Sequence, residues 1–456
     1  MTTALPGAQA ADWQATRPQR LHPVTPVVRA LQIGPVLGIA AVSLGLDQLR
    51  SNPFGWLGVF VVVLAMVAAS GAWAYLVWSR YSFWFDADGD LRIRSGVLQL
   101  NERRVQVSRL QSVDVTQPLL ARIFGLAELR PEVAGASSGA TRMAYLSQPD
   151  ADRLRAELLA RAAGIRVEQG ASAPVAPETI LVSVPTGTLL TSLLLQPDML
   201  LLMVGLPLTA VLLTAVGAFE FALPMLLLVG TPFFVVGGRF VTLFGFTVAE
   251  SPDGLRLRFG LTSHRSQTVP PGRVQAVRLE QPVLWRRRGW VRMVVNVAGA
   301  SGGEDAQNRP STLLPVAPEA VARAVLARVL PGVDPLAVPL DAVPARARWR
   351  APLQRRRLAV GNDDQVLVVR HGWLVPTWDV VPHARTQSVR VSQGPWQRWL
   401  RLASVHVDST PGPVRITAAQ RPAEEARQLA EAQVARARSA RSRSRPDRWL
   451  LDRPPE

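Results

Sequence analysis

Four stretches of this chain are too apolar to fold against water. Residues 30–49 are apolar except for Gln32, Asp47 and Gln48, and the last two stand at the end of the stretch. Residues 56–78 and 199–219 carry no charge, and 221–238 come after the single Glu220. A bilayer core takes about 20 apolar residues as a helix. Each block is close to that length, the fourth slightly short. The blocks stand in two adjacent pairs, turning at residues 50–53 and around Gly217 to Glu220. The pattern predicts two transmembrane hairpins, at 27–80 and 198–242. Trp56, Trp73 and Trp78 fall near helix ends, where interfacial aromatics anchor a span.

Charge sets the orientation. The chain has 51 basic and 34 acidic residues, and every basic residue is arginine. Arg17, Arg20 and Arg29 precede the first block, Arg80, Arg92 and Arg94 come after the second, and Arg239, Arg256 and Arg258 after the fourth. Arg50 is the only arginine in a turn. The positive-inside rule then places the N-terminal tail (1–26), the middle segment and the C-terminal half in the cytoplasm, on a multi-pass protein of the cell membrane. Residues 1–19 are polar and lack the apolar core of a signal peptide. The spans carry no mid-membrane Asp, Glu, Arg or His, the residues that mark ion paths, so they read as anchors. No recognition helix or aromatic platform accompanies the high pI, and no nucleic-acid partner is expected.

The soluble remainder repeats three times. Arg109, Gln111, Val113 and Gln117 recur as Arg273, Gln275, Val277 and Gln281, and again as Arg385, Gln387, Val389 and Gln393. Upstream of each set an alternating strand ends on a turn glycine: Gly96, Gly260 or Gly372. Alternation broken by glycine is a hairpin signal. Downstream, Pro149, Pro318 and Pro422 each lead an acidic residue and an amphipathic stretch, the mark of a helix start. Each copy therefore holds about 80–90 residues of short strands closed by one helix.

The Arg-x-Gln-x-Val…Gln-Pro signature after a membrane hairpin resembles the bacterial pleckstrin-homology-like membrane proteins, the YdbT-like group. The resemblance covers residues 27–435 and is weakest in the third copy, where Gly394 precedes the proline. It implies three small pleckstrin-homology-like β-barrels or sandwiches, each with a C-terminal helix, on an α+β membrane protein with four spans. The units would occupy 81–166, 243–331 and 351–435. Between them lie a linker at 167–197 with a candidate interfacial helix and a Pro-rich linker at 332–350. An Arg/Ser-rich tail, 436–456, would be disordered.

Catalytic chemistry is hard to place. The absence of cysteine removes thiolate nucleophiles, disulfides and Cys-ligated metals. No two of the five histidines are spaced i, i+4, and no phosphate-binding loop or nucleophile elbow occurs. Asp86, Asp88 and Asp90 lack the rest of a calcium loop and read as a turn. His371 and His383 lie near Asp379 in sequence. No enzyme activity, cofactor or metal is expected.

Binding is a better prospect. The recurrent Arg109, Gln111, Arg273, Gln275, Arg385 and Gln387 either face phosphates or a partner's carboxylates, or hold a turn between strands. Arg122 comes just after the first repeat's motif. In the second repeat Arg286, Arg287 and Arg288 stand between Trp285 and Trp290; in the third, Arg398 and Arg401 stand beside Trp396 and Trp399. Arginine set among tryptophan suits anionic headgroups, each cation near such a leaflet contributing about 1 kcal/mol. The expected role is a membrane-anchored scaffold for headgroups, a protein partner or further copies of itself. The alternative is a component of a lipid-handling or export assembly.

Overall fold

In the computed structural model of the chain, residues 18–28, 55–86, 88–133, 143–162, 178–218, 231–251, 254–298 and 311–443 are described. They fall into two compact units. Unit 1 comprises residues 1–175 with 263–267; unit 2 comprises 176–262 with 268–456.

Unit 1 is helical at 25–28 and again in α1 (Gly55–Ser79). Then come β1 (Ser82–Phe85), β2 (Leu91–Ser95) and β3 (Asn101–Val105), a three-stranded antiparallel sheet. A 3-10 turn, Val107–Arg109, leads into β4 (Leu110–Pro118) and then the short α2 (Leu119–Ile123). β5 (Leu126–Val133), β6 (Met143–Ser147) and α3 (Gln148–Ala162) complete the repeat. Alternation along β2 buries Leu91 and Ile93 on one face. They meet Phe83, Leu129, Met143, Leu154 and Leu158 in the core. The helix starts where the proline predicts, and Ser147 Oγ accepts the Asp150 N–H at 3.3 Å as a cap. β4 receives a further strand segment on its other edge: Arg265 faces Thr116 and Ser266 faces Val115.

Unit 2 opens with β7 (Thr179–Ser183), α4 (Thr186–Leu194), α5 (Pro197–Ala215) and α6 (Thr231–Leu243). β8 (Thr247–Ser251), β9 (Gly254–Phe259) and β10 (Ser263–Val269, its first five residues counted with unit 1) are next. The second repeat continues through β11 (Val274–Glu280), the 3-10 turn Val283–Arg288, β12 (Trp290–Val297), β13 (Thr312–Pro318) and α7 (Glu319–Val329). The third repeat has β14 (Asp341–Ala342), β15 (Ala359–Asn362), β16 (Val366–His371), β17 (Thr377–Pro382), β18 (Ser388–Ser392), α8 (Pro395–Trp399), β19 (Leu402–Asp408), β20 (Ile416–Pro422) and α9 (Ala423–Arg443). One antiparallel sheet of seven strands, ordered β13-β12-β11-β17-β16-β15-β14, joins the two repeats, and β18-β19-β20 form a separate sheet.

That topology corrects the expected closed barrel. β11 does not close on its own repeat. It pairs with β17, with Arg278 facing Asp379 and Val277 facing Val380. The edge that would close one barrel is taken by the next repeat's strand, so the sheet stays open and grows.

Four spans were expected, and among the described residues two helices are long and apolar enough to cross a membrane: 60–79 within α1, and α5. Both are overwhelmingly exposed, unlike core helices. Block 30–49 lies outside the described residues, as does 219–230, and the described part of the fourth block is the shorter apolar α6. The candidate interfacial helix is α4. Its Leu189, Ser192 and Leu193 are buried in the unit 2 core, so packing on protein holds it. The last helix continues past residue 435 to Arg443, where a disordered tail was expected. Its Ala437 is buried, and Arg441 Nη1 donates to Thr386 O at 3.1 Å.

Candidate functional site

In unit 2 two side chains of the repeated Arg-x-Gln, those of Gln275 and Arg385, bond the backbone of the turns. Arg109, Arg273 and Arg385 each end a 3-10 turn that redirects the chain into the next strand. In unit 2, Arg385 Nη2 donates to Gly272 O, tying the third repeat's turn to the second's. Gln275 is buried and its Nε2 donates to Arg273 O at 3.3 Å. Gln387 is exposed, and its backbone N–H bonds Asp408 O. The side chains of Arg109 and Gln111 lie outside the described set. Exposed Arg122 sits in the last turn of α2.

The outward-facing surface lies immediately after each Arg-x-Gln strand. α2, the turn Val283–Arg288 and α8 occupy this place in the three repeats. Each leaves large apolar side chains in solvent: Leu119 and Ile123; Val283 and Leu284; Trp396 (59 %) and Trp399 (75 %). The hairpin tips after the turn glycines do the same, with Leu98 and Leu100, Leu261, and Trp373 and Leu374. In unit 2 two such elements meet, since Val283 N–H donates to Leu374 O at 3.0 Å. Another tip meets an apolar helix: Leu261 N–H donates to Val241 O at 2.9 Å and Gly260 N–H to Phe244 O at 2.8 Å, at the end of α6. Arg239 of α6 ion-pairs with Asp198 at the start of α5 at 2.9 Å, setting that end of both helices at one level.

Arginines gather beside this apolar edge. Burial lowers the proton affinity of Arg286, and the nearby charge of Arg357 lowers it further. Arg370 is lowered by the same two causes, again with Arg357 as the neighbour. Arg370 Nε is held by Arg357 O at 3.2 Å. The charge of Arg357 thus reaches both Arg286 and Arg370, and Arg370 lines one cavity with Glu319 and Trp378. Guanidinium groups pair with phosphate oxygens in a planar, bidentate geometry. Arg288 lies over the Trp290 ring at 4.8 Å, and Arg287 is exposed.

The comparisons with known proteins agree with this architecture. The bacterial PH domain model matches three times, over residues 35–162, 199–333 and 311–437. The chain belongs to the bacterial PH domain family. It is also similar to UPF0699 transmembrane protein YdbT of Bacillus subtilis (strain 168), 25 % identical over 147 residues. That match spans 31 % of this chain and 29 % of the relative, less than a third of each.

Several expected site residues of this bacterial PH-domain chain fall elsewhere. Trp285 is no interfacial anchor. It is fully buried, packs edge-on to Trp290, and its Nε1 donates to Ser192 O of α4 at 3.1 Å. An aromatic inside a 3-10 turn points inward when its neighbours carry the charges, and the arginine run supplies them. Trp290 is partly buried, whereas Trp73 is exposed on α1. Trp78 Nε1 donates to Leu21 O at 3.0 Å. Trp56 stands in the first turn of α1, its side chain outside the described set. Arg398 closes α8, and Arg401 holds positive φ just after it. Asp86 ion-pairs with Arg92 (2.6 Å), and Asp88 and Asp90 with Arg104 (2.7 and 2.8 Å), which leaves them serving arginine. His371 Nε2 bonds Asp379 at 2.9 Å, but His383 turns away to Asp363 O. Among the described residues no group of His, Asp and Glu could hold a metal.

Arg357 and Arg370 went unseen in the sequence. Residues 355–357 are a second arginine triplet, parallel to 286–288, and that run was the available signal.

Proposed function

We propose that this chain is a membrane-anchored, non-enzymatic PH-repeat scaffold whose unit 2 reads anionic headgroups at the cytoplasmic face. One observation carries the proposal: the arginine turn Val283–Arg288 sets Arg286, Arg287 and Arg288 beside exposed Val283 and Leu284, and its Val283 N–H bonds the hairpin tip that exposes Leu374. Cations for a phosphate next to side chains for the acyl boundary are the composition a headgroup site needs. The tip Gly260–Leu261 bonded to the end of α6 supports the same orientation, since an apolar helix end is where headgroups begin. The name of the Bacillus relative, a transmembrane protein, fits a membrane location here too.

Titration of the full chain in detergent with eight-carbon phosphatidylglycerol tests the site. Binding should weaken as salt rises. Arg286→Ala with Arg357→Ala should weaken it on the order of tenfold, while the phosphatidylcholine analogue should not bind. Equal binding of both lipids, or binding indifferent to the two arginines, would overturn the proposal. The orientation has its own check: reporters fused after Arg80, Arg239 and Glu456 should all report cytoplasm.

A further inference from the structure

The same strand junction is built twice in this chain. Counting from the turn glycines Gly96, Gly260 and Gly372, the three repeats align without a gap as far as β4, β11 and β18. In unit 1 Arg265 faces Thr116 and Ser266 faces Val115. In unit 2 Thr377 faces Glu280 and Trp378 faces Leu279. These are equivalent positions, so the register is identical. The rule is that the Arg-x-Gln strand of one repeat receives the third strand of the next. β18 is the Arg-x-Gln strand of the last repeat, and it is the end strand of its sheet.

Chemistry says what would complete it. In the unit 2 junction, Asp379 is fully buried and takes Arg278 at 2.6 Å (Nε to Oδ1) and 3.0 Å (Nη2 to Oδ2). The residue of β18 equivalent to Arg278 is Arg390, also arginine. Arg390 is exposed, as is its neighbour Val391, and among the described residues it ion-pairs with no carboxylate. A second copy of this chain offers its own β3, the remaining third strand. That strand sets Arg103 at the position of Asp379, opposite Arg390, and like charges directly opposed across a ladder are unfavourable.

We infer that β18 is a docking edge for the third strand of a PH-like repeat in a different protein, one that carries Asp or Glu opposite Arg390. Main-chain bonds would supply the attachment and the buried ion pair the selectivity, as in β-strand addition generally. The opposed arginines disfavour self-addition, so the array ends with a partner of opposite charge instead of growing into a filament.

The chain has no cysteine, which makes the test clean. The probe is a synthetic peptide of residues 374–383 with cysteine in place of Trp378, added to the full-length chain carrying Val391→Cys in detergent. Disulfide cross-linking should form in this register. It should fall at least about tenfold when the peptide's aspartate is replaced by arginine. Arg390→Asp in the chain should restore cross-linking to the arginine peptide. Cross-linking indifferent to that charge, or none with either peptide, would overturn the inference. So would a cross-linked dimer of Val391→Cys with a second chain bearing Glu102→Cys, which would make the occupant another copy.

Discussion

β11 and β18 are the same strand of two successive repeats, yet one is inside a sheet and the other ends one. β11 has β12 on one side and β17 on the other, and Val274, Val277 and Leu279 are buried. Among the described residues β18 has β19 alone, and no residue of Ser388–Ser392 is fully buried. Their sequences differ little: Val-Gln-Ala-Val-Arg-Leu-Glu against Thr-Gln-Ser-Val-Arg-Val-Ser. Burial here comes from the neighbour. In unit 2 the strand β11 is completed by β17 of the following repeat, and among the described residues β18 has no such completing strand.

The comparison can be broken at several points. The largest effect should come from Trp285→Ala, which empties the buried site joining α4 to the turn after β11. Loss of a buried aromatic costs about 3–5 kcal/mol, read from urea denaturation of the solubilised chain. Trp399→Ala, in α8 after β18, should change stability by less than about 0.5 kcal/mol. Next, Asp379→Ala strands Arg278 at the filled junction and should cost about 3 kcal/mol, whereas Arg390→Ala at the open edge should fall within about 0.5 kcal/mol. Equal losses from Asp379→Ala and Arg390→Ala would mean that β18 is covered.

Gly372 sets the hairpin that delivers β17 to β11. It holds φ +85°, and an added Cβ would collide with Val375 O. Gly372→Ala should therefore cost about 1–3 kcal/mol by the same assay. Gly289 also has positive φ, but open space surrounds its Cβ position, so Gly289→Ala should be milder.

The smallest effect is a pH slope. Burial lowers the pKa of His383, which lies in the turn just before β18. The unfolded chain then binds more protons in the range just below the ordinary value of 6.5. Stability should be complete above that value and decline as pH falls below it, by at most about 1.4 kcal/mol per pH unit for this group. His383→Gln should flatten that part of a melting-temperature profile taken from pH 7.5 to 5.

Much of this was legible in the sequence. The glycines, the recurrent arginine and the helix-starting prolines are local signals, and the structure uses them as turns and helix starts. Leu154, Leu158 and Val325 point inward as their spacing requires. Strand pairing was not legible, because a ladder joins residues a hundred positions apart and alternation does not name its partner. Asp379 illustrates the cost: in sequence it is one more acid near two histidines, and only the ladder places it on Arg278. The headgroup site was half legible. The run at 286–288 stood out, but Arg357, whose charge reaches Arg286, lies far along the sequence.

Hydrogen exchange on the full chain in detergent tests the account's central claim most directly. Backbone amides of Val277–Glu280 should be strongly protected on both sides of the strand. In Val389–Ser392 the amides directed to β19 should be protected and the outward ones should exchange as fast as those of a free edge. Equal protection of the two strands would contradict the account, because β18 would then be covered within the chain and no edge would remain to receive a partner.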